Sequence, residues 1–263
     1  MIQLSISASI RRFIAAAPAL LAVPLLSQTP PDLDTLLRGV EARLAAGFTY
    51  KNWTAAATTK VTETDKKGNP EKVTAVTKTV RVKNGERDED ILKAVETEDG
   101  KATDITRKYA EEQRKRRDKE RKRREEEAKK SGGKAGRRGG SFDLDEIMPF
   151  SAAKRALYDF TLRPAEDGRP LVILEARAKV KSDKAWDGVY TIDPAAFDIV
   201  KAEVRPSKNP RFVKELWAEA DIEAIAGKHL FITRTKFRID GGIFIKHVRM
   251  IVEDAYTDVR ILD

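Results

Sequence analysis

The sequence predicts an α+β fold that is mainly antiparallel β, with a long charged helical insertion. Three observations predict it. From Leu157 to the end, short alternating or β-branched stretches follow one another across turn signals. No strand–helix–strand rhythm and no repeat of 20–50 residues is visible, which argues against a parallel sheet or a solenoid. The helical patterns are few: one amphipathic stretch near the start, one charged stretch in the middle and a short segment after it.

Asp32 to Ala46 is the amphipathic helix. Leu33, Leu36, Leu37, Val40 and Leu44 recur at helical spacing, Asp32 or Asp34 can cap the start, and Gly47 can end it. The period then changes. Trp53–Glu63 and Val73–Val82 are rich in Thr, Val and Ala, and the run Lys66-Lys67-Gly68-Asn69-Pro70 between them is a turn. Ile91–Glu98 is a third strand, stopped by Asp99-Gly100. Threonine-rich strands suit a sheet with one wet face and one buried face. The carboxylates Asp88, Glu89 and Asp90 fall before this strand and are expected in a solvated turn.

Arg107 to Lys130 is the charged helix. Its only non-polar residues are Tyr109, Ala110 and Ala128, so it is expected to project into solvent or fray. Residues 131–141 are a glycine-rich, basic linker. Leu144, Ile147, Met148, Phe150 and Leu157 form the next apolar group, broken by Pro149, with a short helix or lid segment around 151–157. Strands are then expected at 158–163, 172–180, 187–193, 198–205, 213–222, 229–239, 243–253 and 256–262. Asp240-Gly241-Gly242 is read as a hairpin turn.

Charge is concentrated in one place. Residues 101–140 carry 17 Lys+Arg and 8 Asp+Glu, a net of +9 that equals the net charge of the whole chain. The rest is neutral, so the basicity belongs to the insertion and not to the fold. Nucleic-acid-binding domains usually carry basic surface on the fold itself, which argues against nucleic acid as partner.

The first 28 residues are expected to be a cleavable export signal. Arg11 and Arg12 form a positive start, and Phe13 to Leu26 is an apolar stretch broken by Pro18 and Pro24. That places the protein in the periplasm. Residues 29–263 are then read as a single domain, interrupted by the insertion at 107–141, with no transmembrane span.

Composition excludes much chemistry. With no cysteine there is no disulfide, cysteine nucleophile or cysteine-bound metal. Two histidines, His229 and His247, argue against a multi-histidine metal site, and both are read as hydrogen-bonding strand residues. Asp143, Asp145 and Glu146 lack the spacing of a calcium loop and are read as capping or solvated. No phosphate loop, HExxH or GxSxG is present. The sequence therefore predicts no catalytic residue, no cofactor and no enzyme.

What remains is a set of large apolar strand residues. Phe160, Leu162, Leu174, Trp186, Tyr190, Trp217, Phe237, Phe244 and Met250 either form an ordinary β core or line a cavity on a sheet that curls without closing. Such a cavity would accept an acyl chain, at about 0.8 kcal/mol per buried CH₂. The competing surface is the basic helix, where Arg114, Lys115, Arg116, Arg117, Arg121, Lys122, Arg123 and Arg124 could meet an anionic membrane surface or polymer through 107–138.

The run Gly188-Val189-Tyr190-Thr191-Ile192-Asp193-Pro194-Ala195-Ala196-Phe197-Asp198-Ile199-Val200-Lys201-Ala202-Glu203-Val204 is a strand–turn–strand. Together with Thr233–Asp240 and Ile243–Val252, it resembles the periplasmic lipoprotein-carrier superfamily of LolA-like, outer-membrane lipoprotein-sorting proteins. The resemblance covers roughly 32–106 and 142–263. It implies an unclosed (half) β-barrel with helices covering the concave face, and binding of lipid or lipoprotein acyl chains there. Leu36, Leu37, Val40 and Leu44 of the first helix, with Met148 and Phe150, would cover the mouth. The insertion at 107–141 is an addition to that pattern, and no arginine here matches the carriers' gating arginine.

Overall fold

A computed structural model describes residues 31–130, 147–165, 169–243 and 246–262. The proposed signal, the linker, the acidic group at 143–146 and Phe244 lie outside the described residues.

Among these, eleven strands form one antiparallel sheet. They are β1 (Trp53–Thr64), β2 (Pro70–Lys83), β3 (Glu86–Glu98), β4 (Lys101–Asp104), β5 (Tyr158–Pro164), β6 (Val172–Ala178), β7 (Trp186–Asp193), β8 (Asp198–Pro206), β9 (Val213–Ile225), β10 (His229–Ile243) and β11 (Lys246–Ile261). Their order is β4-β3-β2-β1-β11-β10-β9-β8-β7-β6-β5, so the two ends of the sheet are β4 and β5 and it does not close. Every ladder but one joins strands consecutive in sequence. The exception joins β1 to β11, from Trp53↔Ile261 to Glu63↔Met250.

Local chemistry explains the turns. In the β1–β2 hairpin the Asp65 carboxylate accepts the N–H groups of Lys67 (2.7 Å) and Asn69 (2.8 Å), while Gly68 takes φ +88°. The Asn69 side-chain amide, which also donates to it at 3.0 Å, and these backbone hydrogen bonds favour the charged carboxylate and hold Asp65 below its ordinary pKa. The expected strands 243–253 and 256–262 are one long strand, β11. β3 begins at Glu86 and not at Ile91, so Asp88, Glu89 and Asp90 lie in a strand and not in a turn. The four-residue β4 was not anticipated; it is fully exposed and too short to show a period.

Among the described residues, helices α1 (Leu33–Gly47), α2 (Thr106–Lys130) and α3 (Ala152–Arg155) accompany the sheet. Asp32 caps α1 by accepting from the Thr35 N–H at 3.0 Å. α1 buries Leu36, Leu37 and Val40 against the concave face, where they meet Leu174, Ile192, Ile199, Ile222 and Leu230. Ile147, Met148 and Phe150 join the same core, with the Phe150 ring 4.8 Å from Tyr190. Glu41 of α1 holds this segment by accepting from the Ala152 N–H and pairing with Arg155.

The opposite, convex face is charged. Lys60, Glu253, Lys236 and Glu219 alternate in sign across β1, β11, β10 and β9, and on β8 Lys201 lies between Glu203 and Glu219. Lys236–Glu253 at 3.1 Å and Lys201–Glu219 at 3.3 Å are among the ion pairs. A recess of about 150 Å³ there is lined by Glu219, Asp221, Arg234, Thr235, Lys236 and Glu253, so it is polar and not apolar.

Close packing under α1 needs a glycine at position 39. A Cβ on Gly39 would lie 2.3 Å from the Phe197 ring. Gly39→Ala should therefore destabilise the protein by about 1–3 kcal/mol, although alanine is the better helix former. In chemical denaturation, Phe197→Ala in the same chain is expected to remove most of that added cost; strict additivity would show the contact to be irrelevant.

Candidate functional site

The concave face has two parts, set by what lies on them. Over β5–β10 it is apolar and carries α1 and the 147–150 segment. Over β3, β2, β1 and β11 it is mixed and carries α2.

Alternation along the strands decides which predicted residues share the concave face. Tyr190 pairs with Leu174 and Ala202, and Leu162 pairs with Leu174. Phe160 pairs with Ala176, and Trp186 precedes Gly188 and Tyr190 on the same side of β7. Phe237 pairs with Ala218 and Val252, and Met250 pairs with Ile239. These seven lie on one face. Trp217 does not: it pairs with Arg238 and sits between Leu216 and Ala218, whose side chains face the core, so its own points to the convex side. Phe244 lies outside the described residues.

Burial is graded along this face. At the α1 end of the sheet, near the turns 194–197 and 226–228, Val172, Ile192, Ile199, Ile222 and Leu230 are buried. At the other end, near the loops 179–185 and 207–212, Trp186, Leu216, Phe237, Ile239 and Met250 are only half-buried. Phe160 and Leu162 are half-buried too, whereas Leu174 and Tyr190 are fully enclosed. The Tyr190 phenol is pushed above its ordinary pKa by burial, and its hydroxyl has no hydrogen-bond partner among the described residues. Gly188 makes room for that ring, since a Cβ there would lie 2.5 Å from the hydroxyl.

The second part is a charged cluster that the sequence did not reveal. Lys78, only 8% exposed, donates to Glu89 at 3.1 Å. Arg87 donates to Glu89 at 2.7 Å and to the Tyr256 hydroxyl at 3.1 Å. Thr59 donates to Asp254 at 2.5 Å. Arg117 of α2 reaches Asp88 at 2.7 Å and the Glu89 carbonyl at 3.2 Å. The half-buried side of α2 is Tyr109, Ala110, Gln113 and Arg117, at helical spacing. The first half of α2 is thus docked on β3, contrary to the expectation that it projects from its start. A helix with little apolar surface can dock when its charges are matched, and here Arg117 supplies the match.

Arg114, Lys115 and Arg116 are exposed on the docked half and Arg121, Lys122 and Arg123 beyond it, while the Arg124 side chain lies outside the described residues. Arg121 is shared with Asp118 and Glu125. The helix runs from Ala94 toward Asp88, hence toward the α1 end. It continues roughly 20 Å past that contact at about 1.5 Å per residue.

An aromatic chain joins the two parts. Phe231 lies 5.0 Å from Trp53, 5.8 Å from Tyr256 and 6.0 Å from Tyr50. His229 stands edge-on to Tyr50 at 5.7 Å, and its Nδ1 is buried with no partner among the described residues. The His247 side chain lies outside the described residues. Among the described residues no three His, Asp or Glu side chains are grouped to hold a metal, and no helix is long and apolar enough to cross a membrane.

Fold and face together define a class: proteins built on an open antiparallel sheet that keeps an apolar concave side and lays helices across it. Two solved structures are similar to this chain. One is a LolA superfamily protein from Nitrosomonas europaea, with 11% identity, TM-score 0.35, and 88% of this chain and 93% of that chain covered. The other is a DUF1329 family protein from Desulfovibrio piger, with 12% identity, TM-score 0.34, and 89% and 94% covered. No protein-family model and no curated protein matches the sequence. The fold assignment rests on the strand order and register given above.

The charged cluster has a pH signature. Desolvation pushes the Glu89 carboxyl up, but Arg87 and Lys78 outweigh it and hold it below the ordinary value. A depressed folded-state pKa gives stability that is present above the unfolded value of about 4.3 and lost as pH falls through the folded one. Acid unfolding followed by circular dichroism should show that loss. Glu89→Gln should remove it and cost about 1–3 kcal/mol at neutral pH; an unchanged acid profile would show that the cluster does not hold the sheet.

Proposed function

We propose that the protein is an exported, periplasmic binding protein that takes a lipid or lipoprotein acyl chain on its apolar concave face, as a carrier and without covalent chemistry. The observation that carries this reading is the graded burial of that face. Large apolar side chains are enclosed beneath α1 but only half-buried toward the 179–212 loops, on a sheet that does not close. Leaving Trp186, Phe237, Ile239 and Met250 partly wet is unfavourable by about 25 cal/mol per Å² of apolar surface, a cost that a bound acyl chain would offset. Leu36, Leu37, Val40, Leu44, Met148 and Phe150 act in this reading as the fixed floor at the α1 end. The N-terminal segment read as a signal would deliver the chain to the periplasm.

A second reading uses the exposed part of α2 to bind an anionic surface or polymer, and the exposure of Lys122 and Arg123 beyond the docked half favours it. Affinity would then fall steeply with salt. Uptake of an acyl chain would not.

Native mass spectrometry of the protein from its own periplasm, with organic extraction, is expected to reveal a bound lipid. In a titration with a fluorescent fatty acid, Phe237→Glu should weaken binding by at least about tenfold, because a carboxylate is set against the acyl chain. Trp217→Glu, on the convex face, should leave it unchanged. Equal effects of the two substitutions, or no uptake by the unsubstituted protein, would sink the reading.

A further inference from the structure

Of the six large apolar side chains that are exposed among the described residues, three sit at one end of the sheet: Leu157, Val180 and Phe212. The connections between them are short. The Lys179 N–H donates to the Leu157 carbonyl at 3.0 Å, which sets Val180 beside Leu157. The loop 179–185 is tied to the next by Ser182 N–H to Ser207 Oγ at 3.0 Å and Ser207 N–H to the Ala185 carbonyl at 2.7 Å. Phe212 ends that second loop, and its carbonyl accepts from the Gly242 N–H at 2.9 Å. A continuous rim thus runs across β5 to β10 with three apolar tips on it.

Phe212 is held outward and not left loose. Its φ is +71°, in the left-handed region that bulky residues avoid. The turn is pinned on both sides, by Val213 N–H to the Pro210 carbonyl and by the contact with Gly242. The side chain is 68% exposed, with the Arg211 guanidinium 4.8 Å from its ring centre. An exposed phenylalanine on a strained, fixed turn is unfavourable in water on both counts.

The charge around these tips is mostly basic. Lys179, Lys181, Lys184, Lys208, Arg211 and Lys214 are all exposed; the two loops hold one carboxylate, Asp183, and Asp159 at the start of β5 pairs with Lys179 at 3.9 Å. Apolar tips within a basic rim match an anionic bilayer surface, where the tips enter the headgroup boundary and the lysines meet phosphates. A protein partner would more often present one continuous apolar patch.

We propose that this rim, formed by 157, 179–185 and 207–214, docks on anionic membrane lipid. It lies at the opposite end of the sheet from the projecting part of α2, so the two basic features cannot share one flat surface face-on. It also lies at the end where the concave face is half-buried. Docking would therefore set that face toward the bilayer, although the docking itself stands whether or not an acyl chain enters.

The test uses the full chain and vesicles of phosphatidylcholine, alone or mixed with phosphatidylglycerol. Co-sedimentation is expected with the mixed vesicles and weakly or not at all with phosphatidylcholine alone. The double variant Val180→Ser, Phe212→Ser should lower the partition coefficient by roughly 10- to 100-fold. Phe212→Gly separates docking from folding: it relieves the left-handed position, so the melting temperature should rise while vesicle binding falls. The chain has no cysteine, so Phe212→Cys and Lys122→Cys can each carry a single environment-sensitive dye. The dye at 212 should shift to the blue on mixed vesicles and the dye at 122 should not. A shift at 122 alone would assign the membrane to α2 and overturn the proposal. So would binding that survives loss of both rim side chains, or no binding to mixed vesicles at all.

Discussion

The architecture depends on one pairing, that of β1 with β11. Every other ladder joins strands that are consecutive in the chain. This one joins residue 53 to residue 261 and continues for the length of β1. It converts two separate meanders, β1–β4 and β5–β11, into a single sheet. Only then does Trp53 meet Phe231 and Tyr256, and only then does the Thr59 hydroxyl find Asp254. The concave face is continuous because this ladder is.

The two halves are stabilised by different physics. Under α1 the contacts are aliphatic and aromatic, and the fit is close enough that Gly39 and Gly188 are needed where rings come down on the backbone. Under α2 the contacts are ion pairs and hydrogen bonds around a small apolar patch of Ala57, Val80 and Val82. A buried charge demands a partner, and Lys78 finds it on Glu89, which the half-exposed Arg87 also meets, while Arg117 pairs with the exposed Asp88.

Much of this was legible in the sequence. Helical spacing located α1 and its buried face from Leu36, Leu37 and Val40. Alternation and turn residues located most strands after Leu157. Alternation misleads where both neighbours are large, so Trp217 looks like its neighbours until Arg238 is seen opposite it. The β3 start was hidden because Asp88, Glu89 and Asp90 are poor strand formers by propensity, and tertiary ion pairing overrides propensity. The docking of α2 was hidden for the same reason: the apolar pattern that marks a buried helix face is absent when the face is matched by charge. The three apolar tips could not be separated from core residues by sequence, since Leu157, Val180 and Phe212 are of the types that fill cores.

The β1–β11 ladder also has a consequence in time. When the chain emerges from its N-terminus, β1 is among the first strands made and β11 is the last. Throughout that interval one backbone edge of β1 has no partner, and a nascent sheet with such an edge invites foreign strands. The composition of β1, Trp53 then Thr-Ala-Ala-Ala-Thr-Thr-Lys-Val-Thr-Glu-Thr, is small, polar and charged along that edge. The strand that waits longest for its partner thus carries Lys60 and Glu63, charges that oppose pairing with a foreign strand.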